Sequence, residues 1–205
     1  MKSMIMGAEN VRAILDGRKT RHSFPIKPQP PEGVTWVGWM LDSTARENTK
    51  HIGSACWTEG GHYFYAKPRY KVGEIVYVKE GWKIAENVTI NGVAPVMYES
   101  ETPPKVIEYI KNWKSPFSMP ESASRIHLEI TGIKAQRVQD ITEEEAINEG
   151  MYGKYQGLDY KYGSKREGVL SQYRALWNSL NTKRGYPWES NPWVWVVSFK
   201  VVQGC

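Results

Sequence analysis

The chain has 205 residues, 40% of them hydrophobic and 24% charged, which is typical of a folded globular protein and excludes a disordered or membrane-spanning one. Lys and Arg number 27 against 22 Asp and Glu, and the resulting net charge of +5 favours an anionic partner. The two cysteines and four histidines have no metal-ligand spacing, so we expect no disulfide framework, no metal and no cofactor. With no apolar leader and no long apolar run, we expect a cytoplasmic protein without membrane contact, monomeric by default.

The first half of the chain contains one clear helix and one clear strand. Residues 8–16 place Val11, Ile14 and Leu15 on one helical face, and Gly17 is a natural stop. Residues 25–33 contain four prolines and predict an extended connection. Residues 72–79 are apolar and β-branched, which predicts a buried strand.

The second half predicts two strands and two helices. Residues 125–137 and 193–202 alternate as strands, and residues 142–149 form a short helix in which Thr142 and Glu145 make a capping box. A second helix over 168–181 has five apolar residues on one face: Leu170, Tyr173, Leu176, Trp177 and Leu180. Helices interspersed with strands, without regular βαβ repetition, indicate an α+β fold around a mostly antiparallel, barrel-like sheet.

Several segments, taken in order, resemble proteins with an ASCH domain, particularly those of phages and prophages. The segments are GRKT (17–20), VGEIVYVKEGW (72–82), ASRIHLEIT (123–131), DITEEEAINEG (140–150) and the closing stretch 176–199. The resemblance implies a PUA-like β-barrel with flanking helices, formed by one domain over residues 1–205 with insertions near 33–67, 84–122 and 152–168. It also implies a cleft beside the first helix that receives RNA or a nucleotide.

Some small members of this family resemble amidohydrolases of N4-acylated cytidines. By resemblance, their catalytic lysine corresponds to Lys19 and their catalytic glutamate to Glu149, whereas the position of their threonine is occupied by His22. Ser23 and Phe24 replace two arginines of the phage members. A histidine would crowd the reacting atom, and the lost arginines would weaken oxyanion stabilisation, so we expect little release of acetate from N4-acetylcytidine.

The candidate binding residues are Arg18, Lys19, Arg21, Glu80, Trp82 and Arg125. The three cations after the first helix suit a phosphate, and a carboxylate beside an aromatic ring suits a base edge. Structural interpretations also exist: the helix dipole favours a lysine at a helix end, and a strand-end or helix-end glutamate is often just solvated. Arg125, at the start of its strand, either protects a sheet edge or projects into the cleft and pairs with Glu80 or with a phosphate. Three functions remain open: a nucleotide- or RNA-binding module, which we rank first, an amidohydrolase, and a phage accessory protein with a protein partner.

Overall fold

A computed structural model describes residues 1–31, 38–39, 55–59, 62–85, 94–102, 112–151 and 165–202. In chain order, its strands and helices are β1 (Lys2–Ile5), α1 (Ala8–Leu15), β2 (Arg21–Pro25), β3 (Gly38–Trp39), β4 (Ala55–Glu59), β5 (His62–Ala66), β6 (Ile75–Lys79), β7 (Trp82–Ile84), β8 (Val96–Tyr98), β9 (His127–Arg137), α2 (Glu143–Asn148), α3 (Lys165–Asn181) and β10 (Trp193–Val202). The helices and strands predicted in these regions are therefore confirmed, with shifts of up to three residues at their ends.

The main sheet has five strands in the order β1-β6-β9-β10-β2. Strand β1 runs parallel to β6, whereas β6 pairs with β9, and β10 with β2, in antiparallel fashion. The α+β class and the mostly antiparallel sheet are thus confirmed. A closed barrel is not formed by the strands that the structure describes, which fall into this sheet, a three-stranded one and a two-stranded one. Immediately before β2, the N–H of Thr20 donates to the carbonyl of Asn148. The end of α2 therefore contacts the start of β2.

The chain divides into two compact units, the first of which comprises residues 1–19, 74–129 and 200–205. Helix α1 buries Val11 and Ile14, and β6 buries Val76 and Val78. Leu15, which we had predicted in the same helical stripe, is 49% exposed. Ala13 is buried in its place, although Leu15 lies four residues from Val11 and on the same side of the helix.

The second unit comprises residues 20–73 and 130–199. Its larger core cluster joins Val169, Tyr173 and Trp177 of α3 to Val194 and Val196 of β10. The four-residue spacing of the helical members leaves Leu180 47% exposed, contrary to its predicted place in the core. The strand β10 is buried on both faces from Trp193 to Val197, because Val194 and Val196 belong to this cluster and Trp193 and Trp195 to a second one.

None of the helices within the described ranges is both long and apolar enough to cross a membrane. Of the predicted insertions, 33–67 and 84–122 lie partly, and 152–168 largely, outside the described residues. The expectation of a single domain therefore stays a prediction.

Candidate functional site

The end of α2 places Glu149 in the second unit. The helix begins with the predicted capping box, in which the side chains of Thr142 and Glu145 each accept from the other's backbone N–H. Glu149 is its C-cap residue, and Gly150 follows with a φ of 93°, a left-handed conformation that favours glycine. A carboxylate at the C-terminal end of a helix is disfavoured by the helix dipole, so its position calls for compensating contacts.

Those contacts come from β2. The Ser23 hydroxyl donates to Oε1 of Glu149 across 2.6 Å, and Nδ1 of His22 lies 3.7 Å from Oε2. Glu149 is 2% exposed and Ser23 is 7% exposed, while the His22 side chain keeps 21% of its surface accessible. A buried carboxylate thus has a hydroxyl on one oxygen and a partly exposed imidazole beside the other.

Tyr173 of α3 extends this arrangement through a hydrogen bond with the Ser23 side chain. Burial raises the pKa of the Tyr173 phenol well above 10.0, and the negative charge of Glu149 raises it further. The phenol therefore stays protonated at neutral pH. We call Glu149, Ser23, His22 and Tyr173 the Glu149 cluster.

Arg21 lies next to the Glu149 cluster on the same strand and is only 6% exposed. Its Nη1 lies 2.7 Å from Oε1 of Glu145, which also accepts from Lys134 at 2.5 Å. Burial opposes ionisation of Glu145, but hydrogen bonds from Arg21, Lys134 and the Thr142 backbone outweigh it and lower its pKa from 4.5 to about 2. Among the residues that the structure describes, Nε and Nη2 of Arg21 have no hydrogen-bond partner, although both atoms are buried.

Glu80 and Arg125 form a separate polar cluster in the first unit. Oε1 of Glu80 accepts from Nε of Arg125 at 3.1 Å, and its Oε2 accepts from the Ser100 hydroxyl. Arg125 also pairs with Glu101 and lies over the Tyr98 ring, with its guanidinium carbon 4.0 Å from the centroid. Burial alone would lower the pKa of Arg125, but its hydrogen bonds to Glu80 and Glu101 and their charges raise it above its ordinary value. Both oxygens of Glu80 are engaged internally, which favours a structural role over the predicted contact with a base edge.

The predicted cationic loop of Arg18, Lys19 and Arg21 does not face solvent as a group. Arg18 pairs with Asp16 at 2.8 Å, whereas Lys19 is 2% exposed and Arg21 is buried in β2. Trp82, a predicted stacking residue, is 6% exposed, and Nζ of Lys114 lies 4.8 Å from its ring centroid. Lys19, Arg21 and Trp82 pack into the interior of the protein. This packing is why the cations do not form an exposed loop and why the Trp82 ring is not open to a base.

The structure therefore brings together His22 and Glu149 in one unit, and Glu80 and Arg125 in the other. Ser23 and Tyr173 were not singled out as site residues from the sequence. One signal for Ser23 was available: residues 21, 23 and 25 share the buried side of β2, and a polar side chain at an inward strand position needs a polar partner.

Comparisons with known proteins returned nothing: no family model, no curated protein and no solved structure matches this chain. Within the described part of the chain, no group of three or more His, Cys, Asp or Glu side chains could hold a metal ion. In the Glu149 cluster, the carboxylate accepts hydrogen bonds, the hydroxyl groups donate and accept them, and the imidazole has two ring nitrogens that donate or accept.

Proposed function

We propose that this chain is an ASCH-type, PUA-like protein that binds a nucleotide, either free or within RNA, at the Glu149 cluster and Arg21. The observation that carries the proposal is the buried carboxylate of Glu149, with Ser23 bonded to one oxygen and His22 beside the other. Buried ionisable groups are expensive to keep away from water, and they concentrate at functional sites.

The chemistry of a nucleobase suits these groups. A carboxylate accepts from an exocyclic amine such as the N4 group of cytosine, and arginine N–H groups donate to a base carbonyl or a phosphate. Here Glu149 supplies the carboxylate, and Nε and Nη2 of Arg21 have no partner within the described part of the chain. The partly exposed His22 ring, with its centroid 6.2 Å from that of Phe24, offers an aromatic face near the same carboxylate.

The PUA-like assignment rests on the order of the resembling segments and on the strands and helices at those positions. The short helix of segment 140–150 carries Glu149, and segment 17–20 immediately precedes β2. The net charge of +5 agrees with an anionic ligand.

Calorimetric titration of the purified protein with CMP, AMP and a short single-stranded RNA tests this proposal. We expect binding that Glu149→Gln weakens at least tenfold, roughly the effect of losing one charge-assisted hydrogen bond. The matched control is Glu144→Gln, an exposed acid on the same helix, which should leave affinity unchanged. Equal affinity in both variants, or no binding of any of the three ligands, would refute the proposal.

Hydrolysis of an acylated nucleoside amine is a second candidate, favoured by the position of the Ser23 hydroxyl. The sequence has His22 where hydrolase relatives carry a threonine, but Ser23 brings a hydroxyl within 2.6 Å of Glu149. In such a site, Glu149 would take a proton from Ser23 as its oxygen attacks the acyl carbon, and would return it to the departing amine as the C–N bond breaks. Water would then hydrolyse the acyl-serine and release the acid.

Incubation with N4-acetylcytidine and chromatographic separation of cytidine tests the second candidate. Turnover that is lost in Ser23→Ala and Glu149→Gln but kept in Ser179→Ala, an exposed serine of α3, would establish it. The resemblance also assigns a catalytic role to Lys19, and Lys19→Met should then abolish turnover. Unchanged substrate after prolonged incubation would leave nucleotide binding as the function.

A further inference from the structure

Phe117 is a solvent-facing aromatic side chain in the first unit. It lies in the middle of a 3-10 turn, Pro116–Ser118, and is 76% exposed. The turn is well fixed: Ser115 accepts from the Phe117 N–H, and the Ser118 hydroxyl donates to the Ser115 carbonyl at 2.8 Å. Pro116 further restricts the backbone. A phenyl ring held out in water on an ordered turn gains no burial energy from the fold itself.

Two lysines lie around this turn. Nζ of Lys79 donates to the carbonyl of Phe117 at 3.0 Å, so one positive charge is at the base of the ring. Lys114 is exposed, and its Nζ lies 4.8 Å from the ring centroid of Trp82, whose indole N–H donates to Ser118.

Two carboxylates near this part of the chain are already paired. Glu80, which follows Lys79, is buried and paired with Arg125. Glu121 lies 3.1 Å from the N-terminal amino group. Within the described ranges, neither Lys79 nor Lys114 forms an ion pair with a carboxylate, so both charges are open to an anionic ligand.

We propose that Phe117, Lys79 and Lys114 form a stacking site for one base of a single-stranded nucleic acid, with the two lysines contacting the flanking phosphates. An exposed aromatic ring flanked by cations is the combination that binds single strands, since every base has a π-face and every linkage carries a negative charge. The proposal rests on the proposed function for the class of ligand only, because it involves residues of the first unit and none of the Glu149 cluster.

Fluorescence anisotropy with labelled 12-nucleotide RNA and DNA single strands tests the site. Loss of a stacked base weakens binding by about 5- to 100-fold, so we expect this effect for Phe117→Leu, which keeps an apolar side chain but has no ring. Phe117→Trp should keep or improve affinity. Val72→Ala, at a 63% exposed apolar position in the second unit, is the control and should change nothing. Replacing Lys79 and Lys114 by Gln should make the affinity less dependent on salt.

Base stacking on Phe117 does not depend on the sugar, so Phe117→Leu should lose similar affinity for the RNA and the DNA single strand. Equal affinity of Phe117→Leu and wild type on both strands would overturn the site. So would a wild-type dimer that Phe117→Ala converts to monomer in sedimentation, since a second copy would then occupy the ring. Binding of CMP without binding of either strand would overturn the Phe117 site and leave the proposed function standing. RNA binding that depends on Phe117 but not on Glu149 would support the Phe117 site and overturn the proposed role of the Glu149 cluster.

Discussion

The hydroxyl of Ser23 lies 2.6 Å from Oε1 of Glu149, a residue 126 positions further along the chain. This bond joins an edge strand of the main sheet to the end of a short helix, and both of its side chains are buried. It gives a carboxylate at an electrostatically unfavourable helix end one of the donors that it needs. The proposed ligand-binding role depends on this arrangement.

Removing the Ser23 hydroxyl should destabilise the fold. Ser23→Ala deletes a hydrogen bond to a buried charged group, for which we expect a loss of about 1–3 kcal/mol in the free energy of unfolding. Urea denaturation measures this loss, and Ser179→Ala on exposed α3 surface is the control, expected within about 0.5 kcal/mol of wild type. A Ser23→Ala protein as stable as wild type would show that the hydroxyl does little for Glu149.

Stability should fall in acid because of Glu145. Its pKa in the folded protein is about 2, against an ordinary 4.5. Since the folded value is depressed, the stabilisation is fully present above pH 4.5 and is lost as pH falls towards 2. Solvent screening limits the effect to about 1–2 kcal/mol.

Glu145→Gln isolates this effect, because its amide oxygen can still accept from the Thr142 N–H and keep the capping box. Denaturation midpoints measured between pH 2 and 6 should depend less on pH in this variant than in wild type. Parallel curves for the two proteins would contradict the ion pairs of Glu145 with Arg21 and Lys134.

The phenol of Tyr173 should not ionise with the exposed tyrosines. Burial and the charge of Glu149 raise its pKa well above 10.0. A raised folded-state value means that stability is unaffected below the ordinary pKa and declines as pH rises above it. In an alkaline titration followed by absorbance, Tyr173→Phe should therefore remove a component that appears late or only on unfolding. Loss of a component near pH 10 instead would show the phenol to be accessible.

Arg125 should be more important for stability than its partial exposure suggests. Arg125→Ala removes the partner of Glu80, a carboxylate that is 1% exposed, and breaking such a pair costs about 3–5 kcal/mol. Glu80→Gln combined with Arg125→Met should recover part of this loss, because no buried charge is left unpaired. Thermal or urea unfolding of wild type, Arg125→Ala and the double variant measures these losses. Equal stability of Arg125→Ala and the double variant would argue against the Glu80–Arg125 ion pair.

Local patterns predicted the positions of the helices and strands well, since periodicity and capping are properties of neighbouring residues. The Thr142–Glu145 box and the glycine stop at Gly17 both occur as predicted. Burial was harder to predict, because it depends on what packs against a helix. Leu15 and Leu180 have the right spacing for a core face but lie outside the buried stripe.

The site was predictable only in part. Glu149 is a candidate through the resemblance, and the structure buries it rather than leaving it solvated at the helix end. Ser23 was counted as the loss of an arginine, since nothing local shows that β2 lies beside the end of α2. For Arg125, the sequence leaves open a sheet-edge position and a pair with Glu80 or with a phosphate. The structure shows the pair with Glu80, which lies 45 residues away along the chain.

The most direct test of the central claim is a crystal structure of the protein with CMP bound. We predict density for the base within hydrogen-bond distance of the Glu149 carboxylate, with an oxygen of the ligand accepting from Nε or Nη2 of Arg21. Well-ordered CMP at another position, with the Ser23–Glu149 bond undisturbed, would contradict the account.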